Sequence, residues 1–319
     1  MRRATPVLPK DIIIDCDVGI DDALAIMFAL GSKELRLRAI TTVCGNAEVQ
    51  KTSQNALKVL EAFDAGDIPV ARGSDRPLKR ELHTASYVHG SDGLGDSNLP
   101  ESKLKLDPRH AVDVIIEEAE HRNLHLVCTG PLTNFAIALT KAPQLVEQLR
   151  EVTVMCGAFG LTPYGFGNVT PVSEFNAYVD PEAAKTVFAS GLKLTMVGLD
   201  VTTDPSAILT KNRYEELATL PDRGSKFLKA IGENLMRSWG TFSLHDPMTV
   251  AHIVDPTLLT VKEYPVDAET EGAITRGQTI ADRRSWPEAV YFKGRANIAT
   301  SVDGPRFLDA FEKRAIRNS

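Results

Sequence analysis

The chain has 319 residues, of which 43% are hydrophobic and 24% charged, and its formal net charge is −6. This composition is that of a globular protein long enough for one large α/β domain, and the absence of a basic stripe beyond Arg2 and Arg3 argues against nucleic acid as a partner. No run approaches 18 apolar residues and residues 1–10 lack the apolar stretch of a signal peptide, so we expect no membrane association and a cytoplasmic location.

Strand-like and helix-like segments alternate over the first two thirds of the chain. Apolar, β-branched runs predict strands at residues 12–16, 37–44 and 124–128, and the segments after them predict helices at residues 23–30, 50–63 and 134–139. This pattern predicts an α/β fold with a Rossmann-like, mostly parallel sheet flanked by helices. Because no linker or internal repeat interrupts it, we expect a single domain over residues 1–319.

Four aspartates lie within eight residues directly after the first predicted strand, namely Asp15, Asp17, Asp21 and Asp22. So much negative charge repels itself unless a cation, or a polar ligand with many donors, binds among the carboxylates. Oxygen ligands without thiolate or imidazole groups suit calcium or magnesium rather than zinc or copper, so Ca²⁺ is the expected cofactor. An EF-hand beginning at Asp15 is excluded, because its twelfth residue is Ile26 rather than glutamate.

Three interpretations of this acidic turn stay open. The first is a phosphoryl-transfer aspartate pair after a strand, and the second is a site for both a metal and a sugar-like polyol. The third is the N-cap of the helix at residues 23–30. Capping needs a single short polar side chain, which explains one or two of the acids but hardly four.

Each of the four cysteines terminates an apolar, β-branched run, and none has zinc-ligand spacing. We therefore predict free, buried thiols at the ends of parallel strands for Cys16, Cys44, Cys128 and Cys156. Ligands in parallel sheets bind beyond the carboxyl ends of the strands. Small or oxygen-bearing residues follow those ends at residues 17–22, 45–46, 129–130 and 157–158. One crevice built from all four segments is the expected binding site.

Two long irregular segments, residues 80–106 and 158–171, interrupt the alternation and predict active-site lids. After residue 257 the chain changes to short β-like pieces at residues 257–266, 273–281 and 289–291, followed by a closing helix at residues 307–316. We interpret these pieces as a small β-rich C-terminal flank of the same domain.

Three further motifs carry ligand-binding groups. Residues 128–134 form a strand-to-helix turn, in which a carbonyl either faces a metal or belongs to an ordinary turn with a helix cap. Asn168, Glu174 and Asn176 either bind vicinal hydroxyls or form a polar loop before a helix at Pro181–Phe188. His245 and Asp246 precede a helix-like run at residues 248–253, where the histidine is either functional or an ordinary helix-start residue.

Together these motifs resemble one family, the nucleoside hydrolases of the inosine-uridine-preferring type. The most specific match is the Asp-x-Asp-x-Gly-x-Asp-Asp-Ala turn at residues 15–23, and the likeness extends from residue 12 to the C-terminal helix. The supporting matches are residues 42–46, 89–90, 129–134, 174–176, 180–184, 197–200 and 245–247.

The resemblance implies calcium-dependent hydrolysis of the N-glycosidic bond of ribonucleosides. The implied Ca²⁺ ligands are Asp17, Asp22, the backbone carbonyl of Thr129, and Asp246. The implied catalytic residues are Asp17, which deprotonates a metal-bound water, His245, which protonates the leaving base, and the nearby His89. The residues implied to bind or line the ribose are Asp21, Asn46, Met155, Asn168, Glu174 and Asn176. The implied partners are a small ribonucleoside and further copies of the chain, as a homodimer or homotetramer.

The chain departs from the family pattern at three places, one of which is residues 158–167, a stretch longer than in some relatives. Val18 stands where the family usually has proline, which leaves the turn less rigid. Residues 233–244 do not align clearly with the family's base-binding loop, so base preference stays open, and Trp239 and Phe242 either stack on the base or are structural. Two rival functions are a haloacid-dehalogenase-type phosphatase, which also begins with Asp-x-Asp after a strand, and a calcium-dependent nucleoside- or sugar-binding protein without turnover.

Overall fold

A large, mostly parallel β-sheet forms the centre of the computed structural model, which describes residues 8–120, 123–285 and 291–318. The strands are β1 (Lys10–Cys16), β2 (Leu35–Thr42), β3 (Val70–Arg72), β4 (His125–Cys128), β5 (Glu151–Val154), β6 (Leu194–Met196), β7 (Leu209–Thr210), β8 (Thr241–Phe242), β9 (Leu259–Ala268), β10 (Thr279–Ala281) and β11 (Gly294–Val302). Within the described ranges, nine of them form one sheet in the order β10-β9-β11-β6-β5-β4-β1-β2-β3, and β7 pairs with β8.

Helices cover the sheet. They are α1 (Ile20–Leu30), α2 (Val49–Ala62), α3 (Ser86–His89), α4 (Ala111–Ala119), α5 (Thr133–Lys141), α6 (Leu145–Gln148), α7 (Phe175–Val179), α8 (Pro181–Phe188), α9 (Leu199–Thr202), α10 (Lys211–Ala218), α11 (Arg223–Trp239), α12 (His245–Val254) and α13 (Gly304–Phe311). Short 3₁₀ helices lie at Pro205–Ala207 and Pro256–Leu258, and a π-helical segment, Glu312–Arg317, follows α13. None of the helices in the described ranges has both the length and the apolar character needed to cross a lipid bilayer.

The predicted α/β fold is confirmed by the pairing of the strands. Within the nine-stranded sheet of the described residues, all pairs from β3 across β1 to β11 are parallel, and the pairs that β9 makes with β10 and β11 are antiparallel. Successive side chains of β1 enter different cores, since Ile12 and Ile14 join one apolar cluster and Ile13 joins another. Burial on both faces explains why this strand is a continuous apolar run. The four cysteines are free and buried, as predicted.

The start of α1 determines where the acidic residues lie. The helix begins at Ile20, three residues earlier than predicted, because the Asp22 carboxylate accepts a hydrogen bond of 2.8 Å from the Gly19 N–H. Asp21 and Asp22 therefore belong to the first helical turn, where the partial positive charge of the helix terminus favours carboxylates. Capping thus accounts for one acid of the four.

The C-terminal third differs from the prediction in three ways. Residues 273–277 form a turn rather than a strand, because Gly277 has a φ of 76° and the Arg276 N–H bonds back to the Gly272 carbonyl. Residues 289 and 290 of the predicted strand at 289–291 lie outside the described residues, and residue 291 is in a turn. Strand β11, which pairs with β6 and β9 inside the sheet, was not predicted.

Of the two long irregular segments, residues 80–106 contain the short helix α3, against prediction, because the sequence signal there was three glycines rather than helical periodicity. Residues 158–171 carry no helix and only a single isolated bridge at Thr170. The closing helix is confirmed as α13 with its π-helical continuation.

Candidate active site at the carboxyl ends of the central strands

The expected crevice lies where the order of the strands reverses. From β1 the chain proceeds through β2 and β3 toward one edge, and β4, β5 and β6 then continue on the other side of β1. Open α/β sheets bind ligands outside the carboxyl ends of the strands at such a reversal. A cavity of about 320 Å³ lies here, and Asn46, Thr129 and Met155 in its wall come from the segments after β2, β4 and β5.

Asp17, directly after β1, is buried and does not itself line this cavity, but it is hydrogen-bonded to Asn46, which does. Its Oδ2 accepts a hydrogen bond of 2.7 Å from the Asn46 N–H, whereas its Oδ1 is buried and has no hydrogen-bond partner among the described residues. Gly45 and Gly130 flank this carboxylate so closely that a Cβ on Gly45 would overlap Oδ2. Burial and then the neighbouring charge of Asp22 raise the pKa of Asp17 well above its usual range.

Three other carboxylates converge beside it. One oxygen from each of Asp21, Asp22 and Asp246 lies within 4.8 Å of the others, although α12 brings Asp246 from more than 220 residues away in the chain. Burial and the Asp22 charge raise the pKa of Asp21 to about 8, and burial raises the pKa of Asp22 and of Asp246. Raised pKa values of this kind follow from burying like charges together, and a cation among the carboxylates would favour their charged forms.

The grouping differs in one respect from the implied ligand set. The close triad contains Asp21 and leaves out Asp17, whereas the resemblance implies Asp17 as a ligand and Asp21 as a ribose contact. The Thr129 side chain donates a hydrogen bond of 2.7 Å to Asp22, and the Thr129 carbonyl accepts one of 2.8 Å from the Asn176 amide. Thr129 and Asn176 therefore join the start of α7 to the acidic cluster.

Asp15 belongs to a different part of the molecule from the other acids of the turn. Its Oδ1 accepts hydrogen bonds from the Thr41 hydroxyl at 2.6 Å and the Asn134 amide at 2.8 Å, on the side of the strand opposite to the triad's helix. Burial raises its pKa to about 6. The first acid of the motif thus joins β1, β2 and α5, and this structural role was missed from the sequence.

The segment before α7 supplies the polar wall. The Glu174 carboxylate caps α7 by accepting hydrogen bonds from the Asn176 and Ala177 N–H groups at 2.8 and 3.1 Å, and it accepts a third, of 3.0 Å, from the Gly157 N–H. Glu174 and Asn176 line the cavity and begin α7, so the segment starts a helix of its own, and α8 follows at Pro181–Phe188. Asn168 is exposed and lines the cavity from the irregular segment at residues 158–171.

Two histidines face the cavity from different helices. His89 accepts a hydrogen bond of 3.1 Å at Nδ1 from the Ile20 N–H, so in the neutral ring its proton is on Nε2. The Nδ1 of His245 lies 2.7 Å from the Thr202 hydroxyl. Burial and His245 lower the pKa of His89 to about 3, and burial lowers that of His245 to about 4, so both rings are neutral at pH 7.

The outer wall is apolar and aromatic. Trp239, at the end of α11, is 62% exposed, whereas Phe242 is 6% exposed and belongs to the apolar core. Tyr87, Leu235 and Thr203 also line the cavity and were missed. Tyr87 lies two residues before His89 in the sequence, which was the only available signal, and nothing in the local sequence marks the other two.

Comparison with known proteins assigns nearly the whole chain to the family that the sequence motifs resemble. The family model for "Inosine-uridine preferring nucleoside hydrolase" matches residues 12–309. The chain is 40% identical to an inosine-uridine preferring nucleoside hydrolase of Leishmania major, over 96% of this chain and 98% of that protein. It is 38% identical to the pyrimidine-specific ribonucleoside hydrolase RihA of Salmonella agona, over 95% and 97%. It superimposes on the purine-preferring ribonucleoside hydrolase of Gardnerella vaginalis with a TM-score of 0.87 and 34% identity, over 96% and 98%.

Proposed function

Because this chain belongs to the inosine-uridine preferring nucleoside hydrolase family and is an N-glycosyl hydrolase of ribonucleosides, we propose that it cleaves its substrates in a calcium-dependent reaction in which Asp17 activates water and His245 assists the leaving base. The single observation that carries this proposal is the unpartnered Oδ1 of Asp17, buried beside three converging carboxylates close to a nucleoside-sized cavity. Family membership removes the phosphatase alternative.

The donor set fits a calcium ion. The proposed ligands are the Asp17, Asp22 and Asp246 carboxylates and the Thr129 backbone carbonyl, of which Asp22 and Asp246 belong to the converging triad, and none is a sulfur or an imidazole. Calcium accepts many oxygen ligands in flexible geometry, whereas magnesium retains most of its waters. When bound, the ion neutralises these carboxylates and orients the attacking water and the ribose hydroxyls. Asp21 belongs to the converging triad and also lines the cavity, so it joins the proposed ion site to the proposed sugar site.

The ribose binds between the acidic cluster and the segment before α7. Its hydroxyls form hydrogen bonds with Asp21, Asn168, Glu174 and Asn176. The adjoining wall of the pocket consists of Asn46 and Met155. Cleavage of the N-glycosidic bond passes through a state with positive charge on the sugar ring, which buried carboxylates stabilise. The three backbone N–H groups bound to Glu174 fix its carboxylate, so little reorganisation is needed during the reaction.

The bond-breaking step needs a base on one side of the sugar and a donor on the other. Oδ1 of Asp17 takes a proton from the water, whose oxygen attacks the anomeric carbon, and the electron pair of the breaking C–N bond passes to the nucleobase. His245 donates an N–H hydrogen bond to the departing nitrogen, and His89 presents its Nε2–H nearby. The base departs as an anion that accepts the His245 N–H hydrogen bond and then takes a proton from solvent water, while Asp17 returns its proton to solvent, so the proton lost by the attacking water balances the one that the free base gains.

The experiment that tests this proposal is the release of free base and ribose from inosine, adenosine, guanosine, uridine and cytidine by the purified protein. Equimolar base and ribose are expected, and the rates rank the bases, which the names of the relatives leave divided between purines and pyrimidines. Binding of nucleosides without release of ribose, by folded protein with added calcium, would leave only the non-catalytic binding function.

A further inference from the structure

The His245 ring is held by a residue from another part of the chain. Its Nδ1 lies 2.7 Å from the hydroxyl oxygen of Thr202, which is the last residue of α9 and is fully buried. Among the described residues the His245 ring makes no other hydrogen bond, so this contact determines the orientation of the imidazole. The other ring nitrogen, Nε2, is left for a ligand in the cavity.

The hydroxyl of Thr202 also selects which nitrogen carries the proton. Among the described residues this hydroxyl makes no other hydrogen bond, so its own proton has a single acceptor, Nδ1 of His245. The reverse arrangement, with Nδ1 as donor, would leave the buried hydroxyl proton unpaired, which costs free energy. With Thr202 as the donor, Nδ1 bears no proton and the neutral ring carries it on Nε2.

Helix α9 is fixed to the segment that supports the sugar side of the cavity. The Leu199 N–H donates to the Gly157 carbonyl at 2.8 Å, and the Asp200 carboxylate accepts from the Phe159 and Leu161 N–H groups at 2.7 and 2.6 Å. The N–H of Gly157 binds Glu174. Thr202 therefore lies on a support whose position is tied to the ribose site, so it can hold the imidazole in a constant place relative to the sugar.

We propose that Thr202 is a positioning residue for the reaction: it holds the His245 ring through Nδ1 and so directs Nε2–H toward the leaving nucleobase. This inference rests on the proposed role of His245. Thr202 itself touches neither the substrate nor the acidic cluster, and it acts only through the histidine.

The first test compares Thr202→Val, which keeps the shape of the side chain, with Thr202→Ser, which keeps the hydroxyl. With inosine at saturating calcium, Thr202→Val should lower kcat about tenfold, as expected for one buried hydrogen bond and its unpaired partner, with little change in KM. A nitrophenyl riboside, whose leaving group needs no donor, should lose less than threefold. Thr202→Ser should recover most of the inosine activity.

Two further variants separate this role from a merely structural one. Thr140→Val removes the hydroxyl of an exposed residue that bonds within α5 and does not line the cavity, and it should leave both substrates unaffected. If Thr202→Val does not fold, Thr202→Ala removes the same hydroxyl without its bulk. Equal losses on both substrates, or unchanged inosine turnover in a folded valine or alanine variant, would overturn the proposal.

The tautomer is measured directly by NMR with ¹⁵N-labelled histidine, with the His245 signals assigned by their loss in His245→Ala. The wild-type ring should show a protonated Nε2 and an unprotonated Nδ1, and Thr202→Val should shift both nitrogens toward a mixture. A protonated Nδ1 in the wild-type ring would contradict the inference. If His245→Ala slows inosine no more than the nitrophenyl riboside, the assigned role of His245 fails instead, and the two failures are thereby distinguished.

Discussion

Replacing Asp17 with asparagine removes one charge and the proton acceptor while preserving the shape of the side chain. The Oδ1 atom of the new amide can keep the hydrogen bond from the Asn46 N–H, which is 2.7 Å long in the native protein, so the turn should retain its conformation. The amide NH₂ then occupies the place of the unpartnered carboxylate oxygen. Loss of a general base lowers kcat by about 10²- to 10⁴-fold, or roughly 3 to 5 kcal/mol of barrier.

The calcium-free protein should respond in the opposite direction. Burial and Asp22 raise the pKa of Asp17, so its charged form destabilises the fold when no cation is present. Asp17→Asn should therefore melt at a higher temperature than the wild-type protein in the presence of a chelator, and calcium should stabilise it less. A gain in stability together with a loss of turnover is expected of an active-site carboxylate and not of a structural one.

Asp15→Asn is the matched control, since it makes the same substitution two residues earlier. Asp15 faces Thr41 and Asn134 rather than the triad, and the asparagine oxygen can accept both of their hydrogen bonds, so this variant should keep kcat within about threefold of the wild-type value. The assay is steady-state release of ribose at saturating inosine and calcium. A kcat for Asp17→Asn within tenfold of the wild-type value, or equal losses in the two variants, would refute the assignment of Asp17 as the base.

Three other perturbations have defined outcomes. His245→Ala should lower kcat for inosine at least tenfold and spare a nitrophenyl riboside, and equal losses on both would remove His245 from the leaving-group step. Gly45→Ala places a Cβ against Oδ2 of Asp17, so it should lower turnover at least tenfold while the melting temperature falls by only a few degrees. Unchanged turnover would show that the carboxylate can move without loss of function. Burial lowers the pKa of His125 to about 4, so between pH 4 and 6.5 the unfolded chain binds more protons than the folded one. The free energy of unfolding that depends on His125 is therefore fully present above pH 6.5 and is lost as the pH falls toward 4. His125→Phe should remove up to roughly 3 kcal/mol of this acid sensitivity in urea titrations at pH 7 and pH 4, and an unchanged difference would contradict the pKa assignment.

The sequence predicted the parts of the fold and site that depend on local patterns. Strand β1, with its apolar run and following acids, could be identified because both faces of a central parallel strand are buried. Strand β11 could not, because Arg295, Asn297 and Ser301 interrupt its apolar pattern, although it lies inside the sheet.

The site was predictable where a residue follows a strand and not where it depends on packing between distant elements. Asp17 and Asn46 follow strands directly, so their convergence is expected from the topology alone. The hydrogen bond from Thr202 to His245 joins residues 43 positions apart on two helices, and no local pattern marks it. The same limit applies to Asp15, whose partners come from β2 and α5, and to the cavity wall at Tyr87.

The metal requirement is the most direct test of the central claim that the acidic cluster holds a catalytic calcium ion. Protein stripped with a chelator, and then dialysed free of it, should release no ribose from its best nucleoside. Added Ca²⁺ should restore turnover and raise the melting temperature together, with the same concentration dependence, whereas equal concentrations of Mg²⁺ should restore little. Full turnover in protein shown by elemental analysis to be free of divalent metal would contradict the claim.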